Sequence, residues 1–548
     1  MPKTPPNKLI IIGGVAGGAS CATRARRLSE TTEIIILERG PHVSFANCGL
    51  PYFVGNIIKN DQDLILATPE TFKTRYNIDV RTMNEAIAID KEKKIVTVKN
   101  HLDGTTYEER YDALVLSPGA SPIKPPLPGI DLPGIFTLRT VPDSQTVKKW
   151  IQQTQAKQAV VIGGGYIGME MVENFLHLGI KVTVIERNTN ILGTFDPEMV
   201  TPIENNLRQN GVALETSESV TGFEKADTTL HVKTESGKSF PADIVILAIG
   251  VRPESTLACE SGLEIGQRGG IRINDKMQTS DPNIWAVGDA IEVKDWITGE
   301  WAVIPLAGPA NRQGRIAADN ICGQEATFRG TQGTSVCGIL NLTAAGTGAS
   351  EKTLRRTGIT YEKIYAHRGN HVGYYPGAKT ISLKLLFSPT DGKILGAQAV
   401  SEAGAEKRID VIAMLIQKNG TIHDLAEAEL CYAPQYGAAK DPLNIAGMIA
   451  ENHLSNLTPT VHWEDIDKES FLLDVRNQLS YEKKHVPNAI NIPLEDLRTR
   501  LHELPKNQPI YVYCNVGQTS HNATRLLRNQ GLQAKNISGG ITTWLAKN

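Results

Sequence analysis

Two of the chain's seven cysteines stand in settings suited to sulfur chemistry. Cys48 lies in Ser44-Phe45-Ala46-Asn47-Cys48-Gly49-Leu50-Pro51, a loop that leads into a helix start at Pro51. A helix N-terminus favours thiolate, so the expectation is a thiol pKa below about 8.5 and a nucleophile at neutral pH. Phe53 occupies the place five residues on, which excludes a Cys-x4-Cys redox pair. Cys514 ends the apolar run Ile510-Tyr511-Val512-Tyr513 and precedes a helix expected from His521 to Arg528, so its loop amides can form an anion-binding nest around a persulfide. The remaining cysteines, 21, 259, 322, 337 and 431, show no close metal-type pairing; they read as small buried hydrophobes, and no metal centre is expected.

The elements that would place these sulfurs announce themselves through glycine. Leu9-Ile10-Ile11-Ile12 runs into Gly13-Gly14-Val15-Ala16-Gly17-Gly18, then a helix, then a strand ending at Glu38. The same order recurs where Ala159-Val160-Val161-Ile162 meets Gly163-Gly164-Gly165-Tyr166-Ile167-Gly168 and a later strand ends at Glu186. Glycine permits the tight bend and the close backbone approach to a pyrophosphate, whose charge suits the helix N-terminus. The carboxylate roughly 20 residues on can accept from a ribose hydroxyl. Glu186 favours NADH over NADPH, while Arg187 beside it keeps NADPH open. Three further apolar strands end in glycine, at Ser117-Pro118-Gly119, at Gly250 and at Gly288-Asp289; they read as strands returning to a nucleotide site.

Length and composition bound the rest. The 548 residues suggest three to four domains, and 41% hydrophobic with 21% charged residues is ordinary globular usage. Lys plus Arg at 57 against Asp plus Glu at 59, with no long basic run, leaves no footprint for nucleic acid. The apolar run after Met1-Pro2-Lys3-Thr4 is too short for a secretory signal, and no run reaches the roughly 18 residues of a membrane span. The expectation is therefore a mature chain starting at Met1 and a cytoplasmic protein.

With Asp289 added, the two glycine units resemble the flavoprotein disulfide reductases, and the Ser44-to-Gly49 text resembles their single-cysteine branch. That branch includes coenzyme A disulfide reductases, NADH-dependent persulfide reductases, NADH oxidases and NADH peroxidases. Ala16 stands where the oxidases and peroxidases typically place histidine. The stretches Ile304 to Gly314, His371 to Gly377, Tyr432 to Tyr436 and Lys440-Asp441-Pro442 are similar to the coenzyme A disulfide and persulfide reductases. The text around Asp474-Val475-Arg476, His485 to Pro493, Cys514 and Gly539-Gly540 to Trp544 resembles a rhodanese domain, although Gln518-Thr519 stand where many active rhodanese loops carry arginine.

The resemblance implies an α/β architecture: two Rossmann-like domains, an α+β dimerisation domain and a C-terminal rhodanese-like domain. The divisions expected are 1–122 with 248–324 for FAD, 123–247 for NAD(P)H, 325–446 for dimerisation, 447–460 as linker and 461–548 for the rhodanese module. FAD would meet Gly13, Gly14, Ala16, Gly17, Gly18, Glu38, Arg39, Ser117, Pro118, Gly119, Gly288, Asp289 and Ala307. The nicotinamide nucleotide would meet Gly163, Gly165, Tyr166, Ile167, Gly168, Glu186, Arg187 and Gly250.

Coenzyme A, with three phosphate groups that guanidinium can bind, points to the Arg24, Arg26 and Arg27 cluster, and the resemblance implies contacts at Ser20, Arg24, Arg27, Ser44, Asn47, Asn311 and Lys440. It also implies a homodimer in which Tyr374 and Tyr432 come from the partner subunit to the reactive sulfur. The function implied is NADH-driven, FAD-dependent reduction of coenzyme A persulfide, polysulfide or disulfide through Cys48, with Cys514 carrying sulfane sulfur. The alternatives are an NADH oxidase or peroxidase cycling Cys48 through sulfenic acid, and a low-turnover redox-sensing sulfur relay.

Overall fold

The computed structural model describes residues 5–227 and 229–547; the expected start at Met1 lies outside them. The chain divides into two units, Met1–Ile191 with Gly211–Gly333, and Leu192–Asn210 with Thr334–Asn548.

In the first unit, each glycine turn follows the middle strand of a five-stranded parallel sheet. The first sheet runs Ile284–Ala286, Ala113–Leu116, Lys8–Ile12, Glu33–Glu38, Asp79–Thr82. The second runs Ala213–Thr216, Lys181–Glu186, Gln158–Ile162, Ile244–Leu247, Ile135–Phe136. The apolar runs are continuous rather than alternating because a parallel sheet is covered on both faces; Leu9, Ile10, Ile11, Val160, Val161 and Val245 are all fully buried. Antiparallel meanders flank the sheets, and there Thr229–Thr234 alternates buried and half-buried residues as a one-sided sheet should.

The second unit holds a five-stranded antiparallel sheet in the order Ser335–Ile339, Leu342–Gly348, Ile394–Ser401, Thr380–Phe387, Glu362–Gly369. The strand expected over 381–387 and the helix expected over 407–417 appear as Thr380–Phe387 and Ala405–Gln417. The rhodanese-like part is a parallel sheet in the order Thr460–Val461, Ala534–Ile537, Ile510–Tyr513, Phe471–Asp474, Ile490–Asn491.

The segment expected as linker, 447–460, is helical in its first half: the helix Pro442–Leu454 runs through it and buries Gly447 and Ala450. Asp441 starts that helix with a capping box to Asn444, Pro442 pre-sets its first turn, and the apolar spacing of Leu443, Ala446 and Ala450 gives it a face to bury. Among the described residues no helix is long and apolar enough to cross a membrane.

Candidate active sites

The two glycine turns are built alike. Gly163 sits at φ +102°, where a Cβ would fall 2.4 Å from the Ala248 carbonyl oxygen, and a Cβ on Gly168 would fall 2.1 Å from the oxygen of Gly163. The turn and its helix can therefore lie this close only without side chains. Gly165 faces open space, with nothing within 4 Å of its absent Cβ, which is the room a pyrophosphate needs to reach the backbone. Glu186 then closes the turn: its Oε2 accepts from Gly164 N–H at 2.7 Å and its Oε1 from Asn188 N–H at 2.8 Å. Glu38 repeats the arrangement, accepting from Gly14 N–H at 3.0 Å and Gly40 N–H at 2.9 Å. A carboxylate has about four acceptor sites, so each retains capacity for a ribose hydroxyl.

The other nucleotide candidates gather at the same edges. Ser117, Pro118 and Gly119 follow Ala113–Leu116, and Gly288 and Asp289 follow Ile284–Ala286, at the carboxyl ends of the first sheet's strands. Ala16, Gly17 and Gly18 begin the helix Ala16–Leu28, and Ala307 begins the helix Ala307–Ile321. Gly250 follows Ile244–Leu247, at the corresponding edge of the second sheet, while Tyr166 and Ile167 open the helix Tyr166–His177. Carboxyl-end crevices are where open α/β sheets bind ligands. Asp289 is half-buried, burial pushes its carboxyl up, and among the described residues no hydrogen-bond donor reaches it, a setting that suits a ligand hydroxyl. Arg39 is diverted to Glu254 at 3.3 Å, and Arg187 is exposed.

Cys48 is exposed on the turn Asn47–Gly49, ahead of the helix Leu50–Val54. Asn47 Oδ1 accepts from Cys48 N–H at 3.0 Å and faces its sulfur at 3.7 Å. The expected lowering of the thiol pKa is not what the structure gives. Although the sulfur reaches solvent, the protein packed behind it pushes the pKa up, and the charges of Glu170 and Asp289 push it the same way. The five-residue helix is too short to offset them, and the hydrogen bond of the Cys48 amide lowers the value only in part.

Around this turn, the coenzyme A candidates of the first unit divide. Ser20 donates to Asn311 Oδ1 at 2.5 Å, and Arg24 pairs with Asp319 at 2.6 Å, so these residues join the helix Ala16–Leu28 to Ala307–Ile321. Arg27 is exposed. Arg26 leaves the phosphate reading: it is buried and donates to the carbonyls of Tyr76, Ser29, Thr32 and Asn77. Ser44 is held at φ +48°, its N–H donating to Gly14 O and its own carbonyl accepting from Leu66 N–H at 2.8 Å.

In the second unit, Tyr374 and Tyr432 join hydroxyl to hydroxyl at 2.9 Å, although 58 residues separate them. Both are exposed, as are Tyr375 and Tyr436, and Lys440 is exposed nearby in sequence. The hydrogen bond shared with Tyr432 raises the Tyr374 pKa.

Cys514 is buried at the end of Ile510–Tyr513, and its Sγ accepts from Gly517 N–H at 3.2 Å and from Ser520 Oγ at 3.3 Å. Gly517 makes the first contact possible by its φ of +92°. The helix begins at Gln518, earlier than the expected 521, and this brings Ser520 under the sulfur. Behind the loop, Ile541 N–H donates to Cys514 O at 2.9 Å and Thr542 N–H to Asn515 O at 3.0 Å. A Cβ on Gly540 would fall 2.3 Å from that Cys514 oxygen, which explains the glycine. Asp474 and Arg476 pair with one another, buried beneath the loop's strand, as structural supports.

A buried ion network had no signal in the sequence. Lys384, fully buried, pairs with Asp196 at 2.8 Å, with Glu198 and with Glu351. Glu351 also accepts from Lys363 at 3.0 Å, and Lys363 pairs with Glu464 of the rhodanese-like part. The carboxylate oxygens of Asp196, Glu198 and Glu351 lie within 4.8 Å of one another, and the Lys384 ammonium is the cation that joins them. Burial would raise the Glu351 carboxyl, but Lys384 and Lys363 outweigh it and hold it well below the usual range.

Two glycine-turn sheets and the Cys48 loop define an oxidoreductase of the two-nucleotide kind, here in one chain with a second, cysteine-bearing parallel-sheet fold. The chain belongs to the pyridine nucleotide-disulphide oxidoreductases, matched over residues 7–314, with their dimerisation domain matched over 334–441 and a rhodanese-like domain over 458–547. It is 37% identical over 446 residues to the coenzyme A disulfide reductase of Staphylococcus epidermidis, covering 81% of this chain and 100% of that one. The crystal structure of reduced Bacillus anthracis CoADR-RHD superposes with a TM-score of 0.97 at 44% identity, covering 100% of this chain and 99% of that one. An NAD-dependent persulfide reductase from A. fulgidus gives 0.92 at 35% identity, covering 98% and 100%.

Proposed function

We propose that this protein is an NADH-dependent, FAD-carrying reductase that reduces coenzyme A persulfide, and with it polysulfide or coenzyme A disulfide, through Cys48, with Cys514 holding sulfane sulfur. The observation that carries the persulfide reading is the Cys514 loop, where two donors converge on one buried sulfur. Gly13 to Gly18, Glu38, Ser117 to Gly119 and Asp289 would hold FAD, and Gly163 to Gly168 with Glu186 the nicotinamide nucleotide. When bound, the flavin supplies a two-electron relay between the nicotinamide and the Cys48 sulfur.

Cys48 thiolate attacks the substrate's sulfur–sulfur bond; one half leaves as thiol or hydrosulfide, and the other stays on Cys48 until it is reduced. Tyr374 and Tyr432, acting across a homodimer, donate the proton that the leaving sulfur takes, and their shared hydrogen bond joins the two hydroxyls in one donor site. Ser20, Arg24, Arg27, Ser44, Asn47, Asn311 and Lys440 form the coenzyme A path. The Glu186 carboxylate disfavours a 2′-phosphate, making NADH the reductant. The chain divides as 1–122 with 248–324, 123–247, 325–446 and 461–548, and works in the cytoplasm.

Anaerobic NADH oxidation with coenzyme A persulfide beside coenzyme A disulfide, at equal concentrations, tests this. Faster turnover with persulfide and release of hydrosulfide is the expected result. Faster turnover with the disulfide makes the protein a thiol-pool reductase, and oxygen uptake matching NADH loss without a sulfur substrate makes it an oxidase.

A further inference from the structure

The loop from Cys514 to Ser520 contains no cation of its own, yet one stands at its rim. The edge strand Glu362–Gly369 of the antiparallel sheet lies along the rhodanese-like part. Tyr365 N–H donates to Ser538 Oγ at 3.0 Å, His367 Nε2 meets Thr543 Oγ1 at 3.0 Å, and a Cβ on Gly539 would fall 2.9 Å from Tyr365 Cβ. The next residue, Arg368, donates through Nη1 to Gln518 Oε1 at 2.5 Å, and Gln518 is the first residue of the helix that follows the cysteine loop.

Arg368 is half-buried, and among the described residues Gln518 is its hydrogen-bond partner and no carboxylate pairs with it. An arginine out of water without a counter-ion is costly unless an anion comes to it. Burial lowers its pKa, and the charge that opposes this is Cys514. A guanidinium carries five N–H donors, enough to hold Gln518 and still bind an oxyanion bidentately.

We propose that Arg368, contributed by the dimerisation sheet rather than by the cysteine loop, is the cation of the Cys514 site and holds the anionic end of its sulfur donor, for which thiosulfate is the probe. The assignment rests on Cys514 being a sulfur carrier. Cys514 thiolate attacks the outer sulfur of the donor; the donor's sulfur–sulfur bond breaks, and sulfite leaves with its electron pair. Cys514 is left as a persulfide anion, three negative charges stand on each side, and no outside oxidant or reductant is needed. Gly517 N–H and Ser520 Oγ face the attacking sulfur, while Arg368 offsets the charge of the donor and of the departing sulfite.

The test uses the full-length, FAD-loaded enzyme and its Arg368→Ala and Arg368→Lys variants, with thiosulfate as donor and cyanide as acceptor. Arg368→Ala should raise the KM for thiosulfate about 10- to 100-fold, as expected for losing hydrogen bonds to a charged group, with a smaller change in kcat. Arg368→Lys should recover part of the loss, and NADH-driven reduction at Cys48 should stay unchanged in both. An unchanged KM in Arg368→Ala, or no recovery in Arg368→Lys, overturns the assignment. Intact mass of the wild-type protein separates the two levels. If Cys514 gains a sulfur atom from coenzyme A persulfide but not from thiosulfate, the carrier reading stands and the role of Arg368 falls; if it gains none from either donor, both fall.

Discussion

Cys48 and Cys514 are prepared for sulfur chemistry in opposite ways. Cys48 is exposed on a short turn, and its surroundings, burial first and then Glu170 and Asp289, resist thiolate formation. Cys514 is buried, and a backbone amide and a hydroxyl already point at its sulfur, with a guanidinium at the rim. The second site is preorganised by its own fold and by one neighbouring strand. The first shows no such preorganisation: burial and two carboxylates oppose the thiolate that the proposed reaction needs.

The largest effect separates the two sulfurs outright. Cys48→Ser should lower NADH-driven reduction of coenzyme A persulfide and disulfide by about three orders of magnitude or more, the scale of losing a nucleophile. Cys514→Ser should leave coenzyme A disulfide reduction intact and remove sulfur loading of the rhodanese-like part. Comparable disulfide turnover by Cys48→Ser and wild type would refute the division of labour.

Next in size is the scaffold behind Cys514. Lys384→Met takes the ammonium from among Asp196, Glu198 and Glu351 and leaves three buried carboxylates facing each other. Breaking a buried ion network from one side costs about 3–5 kcal/mol, so urea should unfold the second unit at a clearly lower concentration in this variant. A midpoint equal to wild type would mean that the carboxylates simply protonate and the network is not a structural clamp.

What the residues disclosed by themselves follows a physical line. The glycine turns, the carboxylates at Glu38 and Glu186 and both cysteine loops were legible because each is a local pattern, fixed by spacing along one stretch of chain. Arg368 and Lys384 were not, since the first meets Gln518 at a separation of 150 residues and the second meets Glu198 at 186; such pairs exist only after the sheets have packed. The direction of the Cys48 pKa was misread because a sequence displays the helix that follows but not the protein that buries the thiol. Arg26 was misread because its guanidinium turns inward to four carbonyls while its neighbour Arg27 turns out. The helix Pro442–Leu454 hid inside an expected linker because the polar residues before Pro459 outweighed its capping box.

Acid should loosen the Cys514 side as a smaller, graded effect. Burial lowers His367 to about 4; burial, with Lys363 adding, lowers His462 to about 4 as well. In the unfolded chain both titrate near 6.5, so the unfolded state binds more protons below that pH. The stability they contribute is present above about pH 6.5 and is lost progressively as the pH falls towards 4. Glu464, which burial would raise but Lys363 and Lys547 hold at about 2, extends the loss below the ordinary carboxylate range. Urea midpoints followed by the fluorescence of Trp463 and Trp544 at pH 7, 5.5 and 4.5 would show this. A flat profile to pH 4.5 would contradict the burial of those imidazoles.

The smallest effect sharpens the contrast at Cys48. Burial, with Glu173 adding, pushes the Glu170 carboxyl up to about 7, so Glu170 acquires its charge in the same range where the enzyme would work. Once charged, it is the stronger of the two carboxylates that hold the Cys48 thiol up. Wild-type Cys48 should therefore form thiolate less steeply above pH 7 than a lone thiol does, because each step in pH also adds opposing charge. Glu170→Gln removes that charge but leaves the larger cause, burial, in place. The midpoint of Cys48 alkylation against pH should fall by less than about one unit, and the curve should steepen to that of a single group. Alkylation of Cys514 in the same samples is the internal control: its sulfur is held by Gly517 N–H and Ser520 Oγ, and it should not move. A parallel shift at both cysteines would trace the effect to general loosening rather than to the field at Cys48.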